Sequence, residues 1–577
     1  MRRYLVLVLL AQFCPFVAAQ NQSPERESGW TDKAPVYAKH WMVAAANPLA
    51  VEAGYRILKQ GGNAVDAAIA VQLVLGLVEP QSSGLGGGAF MLLHDGTRKK
   101  LIAYDGRETA PAAAKPDRFL ENGEPLAFYD AVIGGKSVGV PGTVRLLGTV
   151  HRKHGRLRWA ELFVPAIALA EQGFAVSPRL NALVASESLF TQPRAMAYFF
   201  GADGTPLPVG TVLKNPAYGA TLRRIAAGGA DAFYRGEIAR DIVETANSHR
   251  NPGDLTLADL AGYRVQVREA VCDSYRGYRV CGMPLPSSGG VTVLQMLKIL
   301  EPYDLRAMGP ASFWSVHFFS EAGRLAFADR DVYEADPAFY TPPAGLLDEA
   351  YLLHRSALIR SDASMGVAQP GNPPEKVLPA NKVAFGRDMA LEFPSTSHIS
   401  IVDKYGNAVA MTTTIEDAFG SRLMTQGGFL LNNELTDFSF APTDHGKPVA
   451  NRVEAGKRPR SAMSPMIVYD RFGRVAIVAG SPGGSAIINY VAKVLIGIID
   501  WDLGPQAAIA LPNFGSRNGP TELEKNSSLV ALEPKLKALG APVWVTEHTS
   551  GLQVIQRTPE GWVGGADPRR EGIVKGE

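Results

Sequence analysis

The chain has 577 residues, 46% of them hydrophobic and 20% charged, a balance that excludes a wholly disordered polymer and supplies apolar material for a large core. Formal net charge is only +2, from 58 Lys and Arg against 56 Asp and Glu, so nothing in it asks for nucleic acid or an acidic membrane as partner. Length alone predicts roughly three or four domains of about 150 residues each.

The first residues read as a secretory signal over 1–19. Arg2 and Arg3 are the positive region, Tyr4 to Leu10 the apolar run, and Val17-Ala18-Ala19 a small-residue cleavage site before Gln20. That run is too short for a stable transmembrane helix, and no later stretch approaches about 18 uninterrupted apolar residues. The residues before Cys14 do not form a lipoprotein box. The expectation is therefore an exported protein, periplasmic or secreted, with no membrane anchor.

Next, "NPLAVEAGYRILKQGGNAVDAAIAVQLVLGLVEP" predicts two helices broken at Gly61-Gly62, with Asn63 capping the second and Asp66 in its first turn. The second is apolar nearly all round, so it should lie buried between layers. "QSSGLGGGAFMLLHD" predicts a glycine loop entering a strand. No Gly-Lys-Ser/Thr follows, so tight packing explains it better than phosphate binding. In "AVCDSYRGYRVCGMP", a two-residue loop at Arg276-Gly277 puts Cys272 opposite Cys281, either as a cross-strand disulfide or as two buried thiols. "MPLPSSGGVTVLQMLKILEPYDL" predicts a Pro/Gly loop and an amphipathic helix, and "FWSVHFFSEAGRLAFADRDVYEAD" a further helix. There Glu321, Arg324, Asp329 and Arg330 read as ion pairs on a helix face. The Pro-, Gly- and charge-rich stretch 362–394 predicts an exposed linker, after which the chain becomes dense in strands.

The first of these strands belongs to a hairpin, "TSHISIVDKYGNAVAMTTT". A four-residue loop over Lys404 to Asn407 would set Ser397 opposite Thr414 and Thr396 opposite Ile415, making Thr396 and Thr414 diagonal neighbours. A hydroxyl at a linker-to-strand junction is what a self-cutting N-terminal nucleophile needs: cleavage at Ser395/Thr396 frees an amine on the same residue that can serve as its base. Alone the signal is weak, because Thr is a common strand residue.

The hairpin together with "LLNNELTDFS", "KRPRSAMSP", "GSPGGS", "GGNAVDAAIAV", "SSGLGGGAF", "DGRETAP", "MPLPSSGG" and "GGADPR" resembles, in order and spacing, the γ-glutamyltranspeptidase (glutathione hydrolase) family from about residue 40 to 570. The resemblance implies an α/β fold, the four-layer αββα sandwich of N-terminal nucleophile hydrolases, and one intertwined core in place of several domains. It implies self-cleavage into a large subunit, 20–395, and a small catalytic subunit, 396–577, that pair as a heterodimer. The implied substrates are glutathione and other γ-glutamyl compounds, with water, amino acids or peptides as acceptors and no metal or organic cofactor. None of the ten histidines forms a ligand-spaced cluster, and His398 reads as a packed strand residue rather than a base.

Carried over by position, Thr396 is the nucleophile, Thr414 its supporting hydroxyl, and Gly483-Gly484 the oxyanion hole. Arg107 grips the substrate carboxylate, and a guanidinium can do so with two parallel hydrogen bonds. Asp437 and Glu434 receive the ammonium. Out of context, Arg107 would be a surface ion pair and the two acids solvated turn residues. Two positions depart from many relatives: Glu416 stands where they have Asn, adding a third acid, and Ser461-Ala462 replaces a Ser-Ser pair, removing one hydroxyl from the carboxylate side. The stretch from Asp437 to Ser461 is shorter than in relatives with a full lid loop. An acylase for glutaryl or cephalosporin-type amides and an unprocessed scaffold homologue are the rival readings.

Overall fold

The computed structural model describes residues 29–375, 384–393 and 395–577. The predicted signal over 1–19, with Cys14, lies outside the described residues, as do 376–383 and Pro394 of the predicted linker.

Two seven-stranded antiparallel sheets stack face to face. In spatial order one holds Ile573–Gly576, Met42–Ala45, Thr396–Val402, Ala408–Thr414, Gly88–Asp95, Lys100–Gly106 and Gln266–Arg268. The other holds Val36–Ala38, Gly561–Ala566, Gln553–Thr558, Val475–Gly480, Met466–Tyr469, Tyr278–Gly282 and Val271–Tyr275. Strands from before and after residue 395 interleave in both, so the several domains expected from length are replaced by one body.

Alternation along the strands builds the layers, because successive side chains point to opposite faces. In the first sheet Val43, Met91, Ile399, Ile401, Val409 and Met411 join the helix-side core. Met42, Ala44, Phe90, Leu92, Val402 and Ala410 join the core between the sheets. Helices Pro48–Lys59 and Ala64–Val78 cover the outer face of the first sheet, and Gly289–Leu300 and Ile487–Ile499 that of the second, giving four αββα layers. Ala64–Val78 is buried along its whole length, and its start is a reciprocal cap: Asn63 accepts from the Asp66 amide at 3.0 Å and Asp66 from the Asn63 amide at 3.1 Å. Among the described residues no helix is long and apolar enough to cross a membrane.

Three local expectations are corrected. The Thr396 hairpin pairs Thr396 directly with Thr414 and Val402 with Ala408, one residue out of the expected register. Asp403 pairs with Asn407 rather than Ala408, its amide donating to the Asn407 carbonyl at 3.1 Å, which leaves a three-residue loop with Gly406 at φ +85°. The Asp403 carboxylate sets that loop, accepting from the Tyr405 and Asn407 amides at 2.8 and 2.9 Å. A one-residue slip exchanges faces, and only the observed register keeps Ile399 and Ile401 on the same side as Val409 and Met411. Second, the described end of the predicted linker is not exposed throughout: Asp388 and Glu392 are buried. Third, Glu321, Arg324, Asp329 and Arg330 lie inside the protein, not on a solvated face of helix Phe313–Tyr333. Arg324 pairs with Glu321 at 3.0 Å, but Asp329 turns to Arg355 and Arg330 to Glu392.

Cys272 and Cys281 face each other across their hairpin and form a disulfide with Cα atoms 4.1 Å apart. Arg276 and Gly277, at φ +50° and +82°, make the tight turn.

Candidate active site

The hydroxyl end of the hairpin is a short relay. Thr396 Oγ1 donates to Thr414 Oγ1 at 3.3 Å, and Thr414 donates to the carbonyl oxygen of Ser395 at 2.8 Å. The Glu416 amide donates to Thr414 Oγ1 at 2.8 Å, fixing its lone pairs. Ser395 Oγ donates to the Gln81 carbonyl at 2.5 Å, so the loop before the glycines also holds the residue that precedes Thr396. The glycines themselves are there for closeness. A Cβ on Gly87 would lie 2.0 Å from the Thr414 carbonyl oxygen, and one on Gly86 2.1 Å from that of Leu430. His398 is packed between the sheets with its ring nitrogens 2.8 Å from Thr412 Oγ1 and 3.0 Å from Ser400 Oγ. Burial pushes it down to about 3, so it stays neutral.

Beside this relay is a cavity lined by Arg107, Thr396, Thr414, Glu416, Glu434, Asp437, Ser461, Ala462 and Gly484. Residues far apart in sequence are thus brought to one wall by the strand ends and the loops that follow them. Arg107 follows strand Lys100–Gly106, Glu434 and Asp437 bound a single 3-10 turn, and Ser461 is held by the "PLPSSGG" loop. The Ser288 amide and hydroxyl each donate to the Ser461 carbonyl at 2.7 Å. Gly484, at φ +56°, reaches the cavity, whereas a Cβ on Gly483, at φ +139°, would meet the Tyr490 ring at 2.5 Å. Cys272 and Cys281 lie apart from it, on the last two strands of the other sheet.

Arg107 is buried and engaged at every nitrogen. It pairs with Glu434, with Asp437 at 2.5 Å, and donates to the carbonyls of Pro459 and Arg460 at 3.2 and 2.7 Å. Burial outweighs the guanidinium at Asp437, pushing its carboxyl up to about 7. Glu416, at φ +77°, accepts from Asn433, and burial with Asp437 and Asp417 nearby raises it well above the usual carboxylate range. One guanidinium and the three acids Glu416, Glu434 and Asp437 are therefore held within one pocket, with Glu434 Oε2 and Asp437 Oδ1 buried and without a hydrogen-bond partner.

Sequence reasoning missed Glu392, which lines the same cavity four residues before Thr396. Its carboxylate is held by Arg330 and lies 3.4 Å from Arg460, and these two guanidinium groups keep it below the usual range despite burial. The motif "KRPRSAMSP" contains Arg460 and "FADRD" contains Arg330, but neither signals a partner so distant in the chain. Met463 and Ile487 complete the apolar side of the cavity.

Residues 50–577 match the family model described as gamma-glutamyltranspeptidase. The chain is 36% identical to the glutathione hydrolase proenzyme of Escherichia coli (strain K12), covering 99% of this chain and 97% of that protein. It is also 36% identical to the glutathione hydrolase proenzyme of Bacillus subtilis (strain 168), over 88% and 86% of the two chains. A solved structure, the cephalosporin acylase from Bacillus halodurans, superimposes with a TM-score of 0.82 at 28% identity, covering 96% of this chain and 99% of that one. With its αββα core and the hydroxyl relay at a strand start, this chain belongs to the γ-glutamyltranspeptidase family of N-terminal nucleophile hydrolases.

Proposed function

We propose that the chain is a proenzyme that cuts itself between Ser395 and Thr396 and then acts as a γ-glutamyl hydrolase and transferase on glutathione and related γ-glutamyl amides. The observation that carries this reading is the contact of Thr414 with both the Thr396 hydroxyl and the Ser395 carbonyl, beside a cavity that presents Arg107 against two acids. In the cut, Thr396 Oγ1 adds to the Ser395 carbonyl carbon. Its proton passes to Thr414, whose own proton goes to the Ser395 oxygen. The Ser395–Thr396 C–N bond then breaks with return of that proton to nitrogen, leaving the Ser395 acyl group as an ester on Thr396. Water hydrolyses the ester to a Ser395 carboxylate and a free Thr396 amine and hydroxyl. Residues 20–395 and 396–577 are then two chains of one interleaved heterodimer.

In the mature site the Thr396 amine, with an ordinary pKa of about 7.7–8.0, takes the hydroxyl proton as Oγ1 attacks the γ-carbonyl. Backbone N–H groups at Gly483 and Gly484 receive the oxyanion, and the amine passes its proton to the leaving nitrogen. Water, an amino acid or a peptide then takes the γ-glutamyl group from the ester. A γ-glutamyl α-amino acid end carries one carboxylate and one ammonium. It exchanges the internal Arg107–Asp437 and Arg107–Glu434 pairs for two new ones, the carboxylate on Arg107 with the Ser461 hydroxyl and the Ala462 amide, and the ammonium on Glu434, Asp437 and Glu416. A glutaryl acyl group has no ammonium to exchange, which favours the γ-glutamyl reading over a glutaryl acylase. The Cys272–Cys281 disulfide suits an oxidising compartment, periplasmic or extracellular.

Purified protein analysed on a denaturing gel and by mass spectrometry is expected to show two fragments split at Ser395/Thr396, and one chain for Thr396→Ala. The cut protein should hydrolyse γ-glutamyl anilide in preference to glutaryl anilide. A single uncut wild-type chain overturns the proposal, and a glutaryl preference overturns its substrate.

A further inference from the structure

Arg330 and Arg460 stand together behind the cavity with a carboxylate between them that belongs to the segment just before the cut. Arg330, on helix Phe313–Tyr333, donates from Nε to Ser288 Oγ at 2.8 Å and pairs through Nη2 with Glu392. Arg460 donates to the Arg330 carbonyl at 3.1 Å, pairs with Asp388 at 3.0 Å, and places Nε 3.4 Å from Glu392. Both arginines are buried, and Glu392 lines the cavity together with Thr396, Ala462 and Gly484. The other acids in reach are Asp331, 3.5 Å from Arg330 and shared with Arg387 at 3.2 Å, Glu334, and Asp437, which already pairs with Arg107. Burial holds Glu334 up to about 8, hence mostly neutral at pH 7. Without Glu392, the guanidinium groups of Arg330 and Arg460 lose the carboxylate between them, and the cluster gains one positive charge.

The segment carrying Glu392 cannot stay where it is if Gly484 is to work. A Cβ on Gly484 would meet the Glu392 carbonyl oxygen at 2.6 Å and that of Phe393 at 2.9 Å, so this backbone lies directly over the glycine. An acyl group whose oxyanion rests on Gly484 needs that space. Resting on the γ-glutamyl reading above, we propose that once the chain is cut and Glu392 withdraws, Arg330 and Arg460 form a second carboxylate subsite of the mature cavity. It takes the free carboxylate on the leaving-group or acceptor side of the amide, so that Glu392 is a placeholder for the C-terminal carboxylate of a peptide or amino acid. Two guanidinium groups in a water-poor wall bind a carboxylate through charge-assisted hydrogen bonds, which neutral partners do not match.

The test compares glutathione with its glycine C-terminal amide on the cut wild-type protein. We expect kcat/KM to favour the acid by roughly tenfold or more, the size of a charge-assisted hydrogen bond. In Arg460→Gln, with Arg330 alone left to hold the carboxylate, the ratio should fall severalfold, and in Arg460→Lys, which keeps the charge but not the planar donors, to an intermediate value. Equal turnover of acid and amide by wild type, or a ratio that the substitutions leave unchanged, overturns the subsite while the γ-glutamyl activity stands. Turnover of neither substrate overturns both.

Discussion

Thr414 sits directly across the strand pair from Thr396, and its hydroxyl donates to the Ser395 carbonyl at 2.8 Å while accepting from Thr396 at 3.3 Å. One side chain thus touches both the attacking oxygen and the oxygen on which charge would develop. Loss of one such donor typically costs about 2.7–4 kcal/mol of transition-state stabilisation. Thr414→Ala is expected to slow self-cleavage by roughly 100- to 1,000-fold, whereas Thr414→Ser, which keeps the hydroxyl, should lose far less. The rate of fragment appearance in freshly purified protein, read on a denaturing gel, checks this. Cleavage of Thr414→Ala at the wild-type rate would remove Thr414 from the mechanism.

Gly87 is expected to control the same step without touching it chemically. A methyl group there would stand 2.0 Å from the Thr414 carbonyl oxygen and 2.8 Å from the Ile415 side chain, and the strand has no room to retreat because it is paired on both sides. Overpacking of this kind typically costs about 1–3 kcal/mol. Gly87→Ala should lower the melting temperature and also slow cleavage, since any relief moves Thr414. By contrast, Gly123→Ala, at a glycine with φ +86° and open space around it, should cost only local backbone strain and leave cleavage unaffected.

These contacts divide what local patterning displays from what only the folded chain creates. The two threonines meet because each ends a strand of the same hairpin, and period-two patterning around Ile399, Ile401, Val409 and Met411 made the strands visible. Their register was not, because it depends on Asp403 capping a three-residue loop, and loop length shifts every pairing by one. The Cys272–Cys281 pairing was legible for the complementary reason: a two-residue Arg276-Gly277 turn leaves one register. Glu392 was hidden by its neighbourhood. Proline, glycine and charge around it read as solvent-facing chain, and what buries it is a pair of arginines supplied by segments about 60 residues before and after. Likewise the charges of "EAGRLAFADRD" repeat with helical spacing, and Glu321 does pair with Arg324 along the helix, yet the further partners Arg355, Ser516 and Glu392 come from other elements.

Asp437 should set the acid limb of activity. Burial pushes its carboxyl up to about 7 in the uncut chain, with Glu392 adding to the rise and Arg107 pulling the other way, and burial still holds it above the usual carboxylate range once Glu392 withdraws. Only the ionised form attracts the substrate ammonium, so affinity should strengthen as pH rises through about 7. The Thr396 amine must also be neutral to act as base, with an ordinary pKa of about 7.7–8.0. For a γ-glutamyl anilide, kcat/KM should climb from pH 6 to 8, the lower part of the rise appearing in KM. Asp437→Asn should raise KM by roughly tenfold or more, as loss of a charge-assisted contact does, and erase the limb near 7 while keeping the later one in kcat. A KM profile of Asp437→Asn that still bends near 7 would assign that limb to another group.

Glu108 offers a stability test independent of catalysis. It is fully buried next to Arg107 with no hydrogen-bond partner for either carboxylate oxygen, close against Gly88, and burial pushes it up to about 8. A folded-state value above the unfolded one of about 4.3 means that the unfolded chain gives up its proton first. The stability that the neutral form confers is therefore complete below about pH 4.3. It is lost progressively as pH rises toward about 8 and changes no further above that. Glu334, also pushed up to about 8, acts in the same sense. Replacing Glu108 by glutamine removes its share of the loss, so Glu108→Gln should melt higher than wild type at pH 8 by several degrees, with the difference shrinking toward pH 5. Melting curves for both proteins across that range, on cut material in each case, decide it. A gap between them that does not vary with pH would mean that Glu108 is ionised in the folded protein and that a partner neutralises it.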